Sequence, residues 1–199
     1  MIKTKNVIIL IEPVGFPSLA SEYINNKRYV EMKHIICDVR KNKDNLIIIA
    51  PRFNTESKNL KLNDLKIMAE ENGMKWFSYH PYTNPNIDMI RQFVKKSHNF
   101  IFDKDNSNII LGGCNLSGCV IQGLNLSAVT LAKAGYKTTI HLPLCAEYEQ
   151  AGINDVETHI IAFYRMYNII KDNNVNIDIS YYSTKLGLEK AWQISYIMI

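Results

Sequence analysis

The fold of this chain is decided by residues 108–135, which read NIILGGCNLSGCVIQGLNLSAVTLAKAG. The apolar start, Asn108–Leu111, predicts a buried strand, and the glycines and small polar residues after it predict a tight turn. Cys119–Ala134 predicts a helix, which Gly135 ends. A cysteine at the first turn of a helix lies near unpaired N–H groups and the positive end of the helix dipole, which favour a reactive thiolate. Cys119 is therefore the candidate reactive residue; the alternative is a buried, inert cysteine in a glycine-rich turn.

Outward from this stretch, predicted strands and helices alternate along most of the chain. Apolar runs predict further strands at Asn6–Glu12, Asn45–Ala50, Lys75–Tyr79, Tyr136–Leu142 and Val175–Ile179, with Asn99–Phe102 as either an edge strand or a strand of the main sheet. Helical spacing predicts helices at Glu22–Lys41, Leu62–Asn72, Asn86–Ser97 and Asp155–Asp172. Such alternation is typical of a three-layer α/β/α fold with a mainly parallel open sheet of about six strands.

Length and composition indicate one globular domain. With 199 residues, of which 47% are hydrophobic and 21% charged, the chain has enough apolar side chains for a core of its own, so a single domain over residues 1–199 is expected. The apolar tail, residues 181–199, is expected to pack on this domain or at an oligomer interface. The net charge is only +4 and basic residues are interleaved with acidic ones, which argues against a nucleic-acid partner.

The N-terminal residues and the cysteines indicate the compartment. The apolar run that follows Met1–Lys5 is too short for a secretion signal or a membrane span. The four cysteines form no CxxC pair, so a zinc or redox motif has little support. A reduced, cytoplasmic protein without a membrane partner is therefore expected.

The carboxyl ends of the predicted strands gather the candidate functional side chains. Ligands of open α/β sheets bind at this edge, and Glu12, His80 and the segment Gly112–Cys119 all follow strands there. Cys114 is expected to serve packing or the turn itself. His141 stands alone on an apolar strand, and we expect it to be a satisfied core or surface residue rather than a ligand.

A family resemblance lies in residues 109–142, which read IILGGCNLSGCVIQGLNLSAVTLAKAGYKTTIHL. The apolar strand, the glycines, the Cys-Val pair and the helix that runs into Gly-Tyr resemble the isochorismatase-like cysteine hydrolases, which include nicotinamidases and N-carbamoyl amidohydrolases. The N-terminal run NVIILIE looks like the family's first strand with its terminal carboxylate, and residues 152–180 look like its closing helix and strand. The resemblance covers most of residues 6–180.

The resemblance implies a small-molecule hydrolase that cleaves a C–N, amide-like bond without a cofactor. In the family an aspartate, a lysine and a cysteine act together, and the cysteine attacks a carbonyl carbon to form an acyl-enzyme that water hydrolyses. Cys119 matches the nucleophile, and Glu12 takes the place of the aspartate, one methylene longer. The lysine has no clear match: His80 is the best substitute by order and position, with Lys75 and Lys104 as alternatives.

The resemblance also implies contacts to the substrate and to the oxyanion. Asn115, Leu116 and Gly118 are the candidates in the turn itself. Phe16 and Tyr82 lie near predicted strand ends and are candidates to stack on a flat substrate, with packing in the protein as the alternative. Leu116 stands where the family usually has Thr or Ser, and the aspartate that is common after the following strand is missing from LPLCAEY. Some nicotinamidases bind a metal through an Asp and two His close in sequence, and since no such cluster is found here, no metal is expected.

Three functions stay open on the sequence alone. The first is the cysteine hydrolase. The second is a relative that binds a small molecule or a protein partner without turnover, because His80, Glu12 and Leu116 depart from the family's pattern. The third is a vinyl-ether hydrolase of the isochorismatase type, which a cysteine at the nucleophile position disfavours. Since relatives of this kind commonly form dimers or tetramers, the resemblance also implies a homo-oligomer.

Overall fold

The computed structural model describes residues 2–3, 6–11, 29–37, 46–51, 56–80, 83–98, 100–147 and 155–180. The strands are β1 Ile2–Lys3, β2 Asn6–Ile11, β3 Leu46–Pro51, β4 Lys75–Tyr79, β5 Phe100–Ile101, β6 Asn108–Cys114, β7 Lys137–Ala146 and β8 Asp178–Ser180. The helices are α1 (29–37), α2 Glu56–Glu71, α3 Ile87–His98, α4 Ala128–Lys133 and α5 Asp155–Asn173, and a π-helical turn spans Leu116–Val120.

The α/β architecture predicted from the sequence is confirmed. Six strands form one sheet in the order β4-β3-β2-β6-β7-β8, and every neighbouring pair is parallel. The chain builds outward in one direction from β2 and then in the other direction from β6. These two strands therefore form the switch point of the sheet, beyond whose carboxyl ends open α/β sheets bind ligands.

The strands are buried because helices cover both faces of the sheet. In β2, Val7, Ile9 and Ile11 pack in one core cluster with α3, α4 and α5, whereas Ile8 and Leu10 pack in a second cluster with α1 and α2. Side chains alternate between the faces along a strand. An uninterrupted apolar run is therefore what a strand of this three-layer fold requires.

A separate two-stranded sheet joins β1 to β5. Ile2 pairs with Phe100 and Lys3 with Ile101, and the two strands are parallel. The strand predicted at Asn99–Phe102 exists, but it belongs to this small sheet and not to the main one.

The prediction of a single helix over Cys119–Ala134 is wrong. After the π-helical turn the chain is irregular over residues 121–127, and α4 begins only after it. Gly123 has φ +91°, outside the helical region. The N–H of Asn125 donates to Oδ1 of Asn84 instead of to a helical carbonyl. A contact with another loop therefore replaces the hydrogen bonds that would have continued the helix.

Gly112 and Gly113 belong to β6 and not to the turn that the sequence placed here. A Cβ on Gly113 would overlap the carbonyl oxygen of Ile11 in β2, and a Cβ on Gly112 would overlap the side chain of Leu144 in β7. Only glycine allows β6 to run this close to both neighbouring strands. The turn consequently begins after the strand, at Asn115, between the ends of β2 and β7.

Candidate active site

The turn after β6 is organised by Asn115. Its carbonyl oxygen accepts the N–H groups of Gly118 (3.2 Å) and Val120 (3.0 Å), and its side-chain Oδ1 accepts the hydroxyl of Ser117 (3.3 Å). The peptide bond between Cys114 and Asn115 is cis. These hydrogen bonds give Asn115 a structural role in the turn, and its predicted contact to a substrate stays a prediction.

Cys119 lies in the π-helical turn and packs partly against the core cluster that contains α3, α4 and α5. It is partly exposed, whereas Cys114 and Cys145 are buried and Cys37, on α1, is exposed. The expectation that Cys114 serves packing is thus confirmed. The prediction that Cys119 lies at the first turn of an α-helix, near the positive end of the helix dipole, is wrong. Cys119 lies in a five-residue π-helical turn.

A buried carboxylate supports this turn, although nothing in the sequence had singled it out. Glu147 follows β7 and is 5% exposed, and its Oε2 accepts the N–H of Ser117 at 2.8 Å. LPLCAEY lacks the family's aspartate, but Glu147 supplies a carboxylate at the same edge of the sheet. The signal that could have pointed to it is an acidic residue directly after an apolar strand, since carboxyl ends of neighbouring parallel strands meet at one edge.

The loop after β4 reaches the segment behind Cys119. His80, the first residue of this loop, is exposed, and its carbonyl accepts the N–H (3.0 Å) and the hydroxyl (2.7 Å) of Thr83. Asn84 Oδ1 then accepts the N–H of Asn125 at 2.9 Å, and the Asn84 carbonyl accepts the Asn125 amide at 2.6 Å. The loop that carries His80 is therefore joined to the segment that follows Cys119.

The two lysines considered as alternatives to His80 lie at the wrong edge of the sheet. Lys75 is the first residue of β4, with Nζ 5.9 Å from the ring centre of Phe100. Lys104 precedes β6, with Nζ 5.6 Å from the ring centre of Tyr136. Both lie at the amino ends of strands, about one strand length from the turn. The assignment of His80 as the substitute for the family's lysine stays a prediction.

Three predicted site residues, Glu12, Phe16 and Tyr82, lie outside the described residues. Glu12 follows Ile11, which pairs with Gly113 at the end of β6.

Leu116 and Gly118 are engaged within the protein itself. The side chain of Leu116 is fully buried in the core, which suits the apolar residue that replaces the family's Thr or Ser. The N–H of Gly118 is already donated to the Asn115 carbonyl, and a Cβ on Gly118 would lie 2.9 Å from Nδ2 of Asn115. Contacts from these two residues to a substrate stay predictions.

A groove of about 190 Å³ opens beside the loop after β4, between that strand and α3. Its walls are mainly apolar and include Tyr79, Pro85 and the exposed side chains of Met89 and Phe93. The Tyr79 hydroxyl donates to the carbonyl of Leu10 in β2 (3.2 Å). The groove therefore lies next to a tyrosine that spans from the edge strand to the switch-point strand.

A second polar cluster is buried between α1, β7 and β8. Nε2 of His141 lies 2.8 Å from Oε1 of Glu31, and its Nδ1 lies 3.0 Å from Oγ of Ser180. The imidazole and the carboxylate are 8% and 4% exposed. The cluster ties α1 to the two strands, and it confirms that His141 is a satisfied core residue.

In the part of the chain that the structure describes, no three His, Cys, Asp or Glu side chains come together as metal ligands do. No helix in that part has the length and apolar character needed to cross a bilayer.

Comparison with known proteins gives matches among solved structures. No protein-family model matches the chain, and no curated protein matches it. A nicotinamidase from Staphylococcus aureus is 11% identical, with a TM-score of 0.51 over 88% of this chain and 98% of that one. The octameric YcaC hydrolase from Escherichia coli is 14% identical, with a TM-score of 0.52 over 96% and 81%. An isochorismatase from Pseudomonas putida is 12% identical, with a TM-score of 0.52 over 89% and 87%.

These likenesses show that the chain has the isochorismatase-like fold. The resemblance found in the sequence is confirmed at the level of the fold. Reaction and substrate have to be argued from this chain's own residues, since identities of 11% to 14% carry neither.

Proposed function

We propose that this chain is a divergent isochorismatase-like cysteine hydrolase, which cleaves a C–N bond of an amide-like small molecule through Cys119. One observation carries the proposal. Cys119 is partly exposed on the turn that directly follows β6, one of the two strands at the switch point of the sheet. Ligands of such sheets bind there, while the neighbouring thiols of Cys114 and Cys145 are buried.

The proposed reaction has two steps. The Cys119 thiol gives its proton to a general base, and the thiolate adds to the carbonyl carbon while the C=O π electron pair moves onto oxygen. That pair then re-forms the C=O bond as the C–N bond breaks and the nitrogen takes up the proton from the base. The amine leaves, and a thioester remains on the enzyme. Water loses a proton to a general base and attacks the thioester, so that the acid leaves and the thiol is restored. Glu12 and His80 are the proposed proton carriers.

Two contacts support this assignment. Ile11, which precedes Glu12, pairs with Gly113 of β6. The loop that begins at His80 is joined to the segment behind Cys119 through the hydrogen bonds of Asn84. Described residues next to both proposed proton carriers in the sequence therefore border β6 or the segment behind Cys119.

Alkylation and turnover test the proposal. The exposed thiol of α1 is removed by Cys37→Ser, and peptide mapping after iodoacetamide treatment at neutral pH should then find Cys119 modified first. Ammonia release is measured over a panel of primary amides and N-carbamoyl compounds. Cys119→Ser should lower kcat by at least about 10³-fold, whereas the matched variant Cys37→Ser should leave it unchanged.

Two results would overturn the proposal. One is iodoacetamide labelling of Cys119 in the folded protein that is no faster than labelling of buried Cys145. The other is an amide turnover that survives Cys119→Ser.

A non-catalytic relative is the second candidate, and one observation favours it. The N–H groups of Ser117, Gly118 and Val120 are donated to Glu147 and to the Asn115 carbonyl, whereas an oxyanion site uses N–H groups that point at the substrate. Amides that raise the melting temperature without being hydrolysed would support this candidate over the first.

The remaining expectations stay predictions. Octameric assembly is a property of the YcaC hydrolase from Escherichia coli, and a homo-oligomer is expected here only from the resemblance. A cytoplasmic location and a single domain over residues 1–199 are likewise expected from the sequence.

A further inference from the structure

Glu147 is a buried carboxylate next to the cysteine turn. It is 5% exposed, and removal of a carboxylate from water costs several kcal/mol unless hydrogen bonds or a cation compensate. The N–H of Ser117 supplies one short hydrogen bond, at 2.8 Å. A residue held in this way, two positions before Cys119, links the carboxylate directly to the turn that presents the thiol.

The register of the sheet explains how Glu147 reaches the turn. β7 pairs with β6 up to Cys114, which lies opposite Ala146, and the register shifts between Leu111 and Gly113. Leu111 lies opposite Ile140 and Gly113 opposite Cys145, so β7 has three more residues than β6 between these two pairs. A shift by an odd number of residues moves side chains to the other face of the sheet, so this irregularity decides which face the end of β7 presents. Glu147 follows directly on the pair of Cys114 and Ala146, and its side chain meets the N–H of Ser117.

Building on the proposed function, we propose that Glu147 is a positioning residue for Cys119. Its carboxylate anchors the π-helical turn through Ser117, two positions before Cys119, and a negative charge at this place opposes ionisation of the thiol that the turn carries. A thiol that ionises less readily gives a more basic thiolate, and a more basic thiolate is the stronger nucleophile. Glu147 therefore sets both the geometry of the turn and the pH range in which Cys119 reacts.

The charge and the hydrogen bond of Glu147 are separated by two variants in the Cys37→Ser background. Glu147→Gln keeps the size and an acceptor oxygen but removes the charge, while Glu147→Ala removes both. The rate of iodoacetamide alkylation of Cys119 is followed by mass spectrometry over a wide pH range. Glu70→Gln, an exposed residue of α2 on the opposite face of the sheet, is the matched control.

Three results are expected. Glu147→Gln should move the midpoint of the alkylation profile down by about one pH unit and lower the plateau rate at high pH about threefold. Glu147→Ala should in addition lower the melting temperature and remove the preference for Cys119 over the buried thiols. Glu70→Gln should leave both midpoint and plateau unchanged.

A purely structural Glu147 would give a different pattern. Midpoint and plateau in Glu147→Gln would then equal those of the parent, and Glu147→Ala would change only the melting temperature, which would overturn the inference. A failure of the proposed hydrolysis shows in the parent protein, as labelling of Cys119 no faster than labelling of Cys145, or as turnover that persists in Cys119→Ser. A failure at Glu147 shows only when its variants are compared with a parent in which Cys119 is labelled first, so the two failures are distinguishable.

Discussion

Gly113 shows how much a single residue decides in this molecule. It lies in β6 with φ +152°, and a Cβ there would overlap the carbonyl oxygen of Ile11. Ile11 and Gly113 are also paired within the sheet, so neither backbone can move away without loss of the ladder between β2 and β6. These two strands form the switch point, and the missing side chain is therefore a condition for both the sheet and the turn that carries Cys119.

The clash predicts a severe effect of Gly113→Ala. The free energy of unfolding should fall by about 3 kcal/mol or more, since overpacking and backbone strain act together; urea denaturation measures it. Gly123→Ala is the matched control, because Gly123 has φ +91° but no atom within 4 Å of its Cβ position. Its cost should be that of the dihedral alone, about 1–2 kcal/mol. Equal losses would contradict the role given to the contact with Ile11.

At the scale of the elements, two loops are joined by hydrogen bonds at the carboxyl edge of the sheet. The loop after β4 and the irregular segment before α4 share the hydrogen bonds between Asn84 and Asn125. Asn84 has φ +39°, a conformation that asparagine tolerates better than most residues. The same contact that prevents one continuous helix after Cys119 also holds the loop of His80 in place.

Removal of the Asn84 side chain should weaken the contact between these two loops. Asn84→Gly tolerates the positive φ but loses the Oδ1 acceptor, so the free energy of unfolding should fall by about 0.5–1.5 kcal/mol. Limited proteolysis within residues 83–86 should become faster. Asn174→Gly, at another asparagine with positive φ (+49°), is the control and should leave cleavage in that loop unchanged. An unchanged cleavage rate in Asn84→Gly would contradict the role given to the contact between Asn84 and Asn125.

In the whole molecule, the packing of helices on both faces of the sheet buries a tyrosine. This burial makes the free energy of unfolding depend on pH in the alkaline range. Tyr136 precedes β7 and is 3% exposed. Burial raises the pKa of Tyr136 above its ordinary 10.0, and the nearby Arg91 guanidinium opposes this only in part. The folded chain thus holds the phenolic proton more tightly than the unfolded chain does. The resulting stability is complete below pH 10 and is lost as the pH rises through the raised pKa.

Tyr136→Phe should remove this pH dependence. Urea denaturation between about pH 9 and pH 11 should show a smaller loss of stability for Tyr136→Phe than for the unchanged chain. Tyr164→Phe, at an exposed position of α5, should follow the unchanged chain. If all three proteins lose stability in parallel, another group is responsible for the alkaline transition.

By itself the sequence determined the class of fold, and it predicted where in that fold a site would lie. Continuous apolar runs such as Asn6–Ile11, which alternate with helical patterns along the chain, favour strands covered on both faces, so the parallel sheet and its carboxyl edge were predictable. Cys119 was predictable for the same reason, because it follows the central strand β6.

Only the tertiary structure decided how the cysteine is presented. Ser117 meets Glu147 across 30 positions of the chain, and Asn125 meets Asn84 across 41. The local periodicity of the sequence does not predict contacts between residues so far apart in the chain. The Asn125 contact replaces the predicted helix with an irregular segment, and the Glu147 contact brings a buried carboxylate to the turn of Cys119. Both depend on which strands become neighbours in the sheet, and that is settled by packing over the whole chain.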